Sequence, residues 1–97
     1  MKIFYVYILK CSDGTYYTGI TSDLEKRVES HKSGKHKDSY TSSRRPLSLA
    51  FYCEFTEPQK AIETKKQIKK WSKAKKQELI LGEYESLPNL AKKKFNR

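Results

Sequence analysis

Several things are scarce in this chain of 97 residues, and each scarcity excludes something. Cysteine is limited to Cys11 and Cys53, far apart and without Cys-x-x-Cys spacing. That implies neither a disulfide framework nor a zinc site, so two reduced thiols are expected. No stretch of 18 or more apolar residues exists, so no helical membrane span is predicted. The first residues carry one lysine but no long apolar core or small-residue cleavage site. This argues against a secretory signal, and a cytoplasmic location is expected. Neither a glycine-rich phosphate loop nor an internal repeat is present. Acidic residues are also few: 11 against 21 Lys and Arg, for a formal net charge of +10. In a single small domain such an excess suits a polyanionic partner, because neutralising phosphates releases condensed counterions. Nucleic acid is the first choice, although basic charge also serves solubility or a membrane surface.

What is present begins with Tyr5 to Gly19, YVYILKCSDGTYYTG. Two apolar and aromatic runs, Ile3 to Leu9 and Tyr16 to Ile20, flank an Asp13-Gly14 pair. This predicts a β-hairpin, since glycine takes the positive φ a tight turn needs. Tyr5 and Tyr7 then share one face of the first strand, close to Tyr17 just before Gly19 on the second. Ser22 or Asp23 can cap a helix from about Leu24 to Lys32, stopped by Gly34. Leu24, Arg27, Val28 and His31 fall on one face of it. A charged group on an apolar stripe needs a partner or ligand: Arg27 offers a phosphate a bidentate fork, and His31 exchanges a proton near neutral pH.

Ser33 to Arg45 is polar, with Lys35, His36, Lys37, Arg44 and Arg45 around Tyr40, and is predicted to be a loop. Cations with an interleaved aromatic suit a nucleic-acid groove. Leu47 to Phe55 predicts a third strand. Thr56 is expected to cap a helix opening at Pro58, with Ala61, Lys65 and Ile68 along its stripe, Ile62 and Lys69 at the edge, and Glu63, Lys66, Gln67 and Lys70 opposite. A further helix, Lys73 to Leu81, would turn Ala74, Leu79 and Ile80 inward and Lys75, Lys76 and Gln77 outward, with Gly82 ending it. The expected fold is a small α/β domain in the order ββαβαα over residues 1–82, with a mainly antiparallel three-stranded sheet flanked by helices. Residues 83–97 are expected to form a basic tail, partly disordered.

The series Tyr5-Val6-Tyr7, Tyr17-Thr18-Gly19, Arg27 and His31, with ten positions from Tyr7 to Tyr17 and ten more to Arg27, resembles the GIY-YIG nuclease domain in its small stand-alone form. The resemblance runs from about Phe4 to about Leu81. It implies a DNA-directed endonuclease in which Tyr7 or Tyr17 helps position and deprotonate water, Arg27 holds the scissile phosphate and His31 assists proton transfer. It also implies Mg²⁺ or Mn²⁺, held by a glutamate three residues before an Ile-Lys pair. With Ile68-Lys69 as that pair, the position is Lys65. Glu63 is a weak substitute, about 200° around the helix from it. Lys65 beside Arg27 would cradle phosphate rather than a hard cation. Tyr5, Gly19, Lys35, Tyr40, Arg44, Arg45, Lys65 and Lys69 are the expected substrate-binding residues. The alternative is a catalytically impaired nucleic-acid-binding module on the same scaffold.

Overall fold

A computed structural model describes residues 2–35, 40–82 and, as backbone, 92–94. Strand β1 (Phe4–Lys10) turns into β2 (Tyr16–Thr21), followed by α1 (Leu24–Ser33), β3 (Ser48–Phe55), α2 (Pro58–Lys69), α3 (Lys73–Ile80) and β4 (Lys92–Lys94). Three antiparallel strands with three helices form an α/β fold in the order ββαβαα, as the pattern predicts. The sheet order is β2-β1-β3-β4, with β4 adding three residues at the edge of β3. Apart from that strand, the expected disorder of 83–97 falls outside the described residues.

The hairpin is wider at its tip than a two-residue turn. Lys10 pairs with Tyr16, and the five residues between are closed by Cys11 N–H donating to the Thr15 carbonyl and Gly14 N–H to the Cys11 carbonyl. Gly14 has φ +85°, the left-handed conformation that glycine adopts at little cost. Asp13 stabilises the tip through its carboxylate, which accepts from the Thr15 backbone and hydroxyl.

Strand alternation divides the molecule into two layers. Val6, Ile8, Phe51, Cys53 and Phe55 point one way and bury themselves against Ala61, Ile68 and Leu79 of α2 and α3. Burying each large apolar side chain contributes roughly 1.5–3 kcal/mol, so this layer holds the sheet to the helical pair. Tyr7 and Leu9 point the other way, against Val28 of α1, Leu47 and Cys11. A bulge at Ala50 shifts the pairing from Ile8↔Phe51 to Leu9↔Leu49, keeping both leucines on the α1 side.

Caps and faces differ in places from the sequence expectation. Asp23, not Ser22, caps α1, its carboxylate accepting from Lys26 N–H, and Gly34 ends the helix at φ 73°. Thr56 does not cap α2. Glu57 holds that position without a side-chain hydrogen bond, because Pro58 occupies the first helical turn and leaves Thr56 one residue too far out. The buried stripe of α2 is Ala61, Thr64 and Ile68, with Lys65 only half-buried at its margin. Ser72 caps α3, which ends at Ile80, with Leu79 buried. Ala74 is exposed and Lys76 half-buried, reversing their expected sides, because eight residues bury little beyond Leu79.

Candidate active site

The candidate residues meet on the α1 side of the sheet. Tyr7 and Gly19 are direct cross-strand partners. A Cβ at position 19 would stand 2.4 Å from both Cζ and Oη of Tyr7, so the phenol lies flat across the space that a side chain would occupy. Its hydroxyl thereby reaches α1, where Oη is 3.1 Å from His31 Nε2. His31 Nδ1 in turn is 2.9 Å from the hydroxyl of Thr41, and both side chains are buried. Both contacts are met when Tyr7 donates to Nε2 and Nδ1–H donates to Thr41, one of the two tautomers these distances accommodate. Burial pushes the Tyr7 hydroxyl far above the usual tyrosine range, Tyr17 beside it adds to the rise, and the positive charge of Arg27 opposes it. Tyr7 is therefore a neutral phenol at physiological pH.

Tyr17 closes the cluster from above. Its ring centroid lies 6.4 Å from that of Tyr7 and 5.2 Å from the His31 imidazole. Tyr40 stacks on Tyr17 at 6.2 Å with rings 23° apart, and the Arg44 guanidinium covers the Tyr40 ring at 3.8 Å. Arg44 also pairs with Asp13 at 3.1 Å and donates to the Tyr40 carbonyl, while its own carbonyl accepts from Ser12 N–H. The loop carrying Tyr40 and Thr41 is thus latched to the hairpin tip.

Arg27 and His31 share a helix face but not an environment. His31 is turned into the core, whereas Arg27 is exposed, close enough to influence the Tyr7 hydroxyl electrostatically. Lys35 lies outside the tyrosine cluster and shares with Arg27 a surface concavity of about 430 Å³. Tyr5 packs edge-on against Tyr52 at 6.1 Å rather than joining Tyr17. Arg45 donates to the Ser42 carbonyl and lies over Gly34. Arg44 and Arg45 therefore serve to hold the loop. His36 lies outside the described residues. Lys65 and Lys69 are on α2, which packs on the opposite face of the sheet. Thr41 carries no signal in the sequence, being a lone threonine in a polar loop until the fold brings it to His31.

The donor set does not suit a hard divalent cation. Phenols, an imidazole and a guanidinium gather here, whereas such an ion wants several carboxylate or carbonyl oxygens. Among the described residues no three His, Cys, Asp or Glu come together as a metal cluster. Glu63 is exposed on α2 and accepts from Gln59 at 3.4 Å, away from the tyrosines.

Comparison with known proteins decides the family. The model of the GIY-YIG catalytic domain matches residues 3–78. The chain belongs to the GIY-YIG family. Among curated relatives, the UPF0213 protein of Syntrophus aciditrophicus is 47% identical over 76 residues, covering 78% of this chain and 87% of that one. UPF0213 protein BH0048 of Halalkalibacterium halodurans is 38% identical over 90 residues, covering 90% and 95%. The solution structure of BH0048 superposes with a TM-score of 0.54 at 36% identity, over 93% of this chain and 98% of that one. The solution structure of EF2693 from E. faecalis gives 0.59 at 29% identity, over 84% and 85%. The GIY-YIG family is one of nuclease-type activity on nucleic acids, generally with divalent metals. None of the described helices is long and apolar enough to cross a membrane.

Proposed function

We propose that this GIY-YIG domain is an endonuclease that hydrolyses phosphodiester bonds of DNA, with Tyr7 and His31 as its proton-transfer pair. The observation that carries this reading is the buried chain from Tyr7 Oη through His31 to Thr41. A phenol held neutral is a poor base alone, but it can accept a proton from an attacking water while releasing its own to His31 Nε2. The water oxygen bonds to phosphorus, the P–O bond to the leaving oxygen breaks, and that oxygen takes a proton from solvent. Arg27, exposed beside Tyr7, neutralises the phosphate as charge builds on it. Tyr17 walls the site and limits the approach of bulk water.

A second reading has its own support. By family resemblance Lys65 stands where a metal-holding glutamate belongs, and a lysine there favours a module that binds nucleic acid without cutting it. Incubating the chain with plasmid and branched DNA, with and without Mg²⁺ or Mn²⁺, beside Arg27→Ala, separates the two. Cleavage by the parent that is lost in Arg27→Ala supports the endonuclease. A parent that binds DNA without cutting it, with and without the metal, establishes the binding module instead.

A further inference from the structure

Half of the net charge lies away from the tyrosine cluster. Residues 57–82 contain eight lysines and three glutamates, a net of +5 of the chain's +10, whereas residues 1–56, which carry Tyr7, Tyr17, Arg27 and His31, have a net of +3. The lysines of α2 and α3 are arranged against their own stability. Lys65 and Lys69, and Lys66 and Lys70, are like charges one helical turn apart. Neither helix has an acidic residue in its first turn, where the dipole favours one, and α3 opens with Lys73 instead. Across the junction Lys69 bears on Lys76, whose pKa is lowered first by burial and then by that neighbouring charge. Among the described residues of this segment the one ion pair is Lys60 with Glu57, at 3.5 Å.

Charges crowded in this way are relieved by an anion from outside, and a row of them by a polyanion. The corner also has an aromatic element, Trp71, half-buried, with Lys75 over its ring at 4.5 Å. It is joined to the candidate active site by the hairpin tip. Lys73 Nζ lies 3.4 Å from where a Cβ on Gly14 would be, and the adjacent Asp13 holds Arg44 of the active-site loop.

We propose that the α2–α3 corner, centred on Lys69, Lys73 and Lys76, is a docking surface for a nucleic-acid phosphodiester backbone, on the opposite face of the sheet from Tyr7 and His31. A polymer held there passes the hairpin tip before reaching the tyrosine cluster, so docking and chemistry occupy separate faces of one small domain. The proposal rests on the reading of nucleic acid as substrate.

The test is fluorescence anisotropy with a DNA duplex of about 30 base pairs and an RNA hairpin of equal length, titrated from about 50 to about 200 mM salt. The parent is compared with Lys69→Gln/Lys73→Gln/Lys76→Gln and with Lys73→Gln alone, whose exposed side chain carries no fold. The triple variant should bind at least tenfold more weakly, with a slope of log affinity against log salt shallower by about three, and the single variant by about one. The probe bound more tightly by the parent identifies the polymer. A parent that binds neither probe overturns the nucleic-acid reading itself. A parent that binds, with slope and affinity unchanged in Lys73→Gln and in the triple variant, overturns the docking surface alone. Loss of binding to anionic phosphatidylserine vesicles but not to nucleic acid in those variants would assign the corner to membranes and overturn it as well.

Discussion

Gly19 is required by what lies on the next strand rather than by its own backbone. A methyl group there would meet the Tyr7 ring at 2.4 Å, with edge strand β2 held to β1 by the hydrogen-bonded ladder on either side. Gly19→Ala should therefore cost about 1–3 kcal/mol by overpacking and push Tyr7 Oη away from His31. Chemical denaturation measures the first effect, and the His31 ring shifts in NMR spectra report the second. The two cysteines give a prediction with a definite sign. Burial pushes the Cys53 thiol up to about 12 and raises that of Cys11. A raised pKa retains the proton, so near pH 8 both are thiols, and only the thiolate reacts. Iodoacetamide should label neither in the native protein and both after unfolding. At this scale Tyr7, Tyr17, Arg27 and His31 were legible because spacing on a strand or helix fixes direction. Thr41, and the exposure of Arg27 beside a buried His31, were not: both depend on how the loop after α1 returns over the hairpin.

Each helix has its own start signal, and the signals differ in worth. Asp23 accepts a backbone hydrogen bond at 3.2 Å, whereas Thr56 lies outside a helix opened by Pro58. Asp23→Ala should accordingly cost about 1 kcal/mol, and Thr56→Ala less than about 0.5 kcal/mol, both read from urea unfolding midpoints. The hairpin, α1 and β3 were legible in the sequence because apolar alternation and flanking glycines agreed there. The faces of α2 and α3 were less so. Their lysine-rich repeats carry little apolar contrast, so the burial of Thr64 and the exposure of Ala74 follow from docking onto the sheet rather than from periodicity.

At the scale of the whole molecule, the sheet separates an aromatic, histidine-bearing layer under α1 from a lysine-rich layer formed by α2 and α3. The total charge was plain in the sequence, whereas its division between the two faces needed the fold. The central claim is that Tyr7 and His31 move the proton in phosphodiester hydrolysis, and the most direct measurement is the cleavage rate of Tyr7→Phe against the parent on the same DNA. The substitution keeps the ring over Gly19 and removes only the hydroxyl. A rate lower by about 10²-fold or more, with the melting transition and DNA affinity retained, is the expected result. Equal rates in the two proteins would contradict the account.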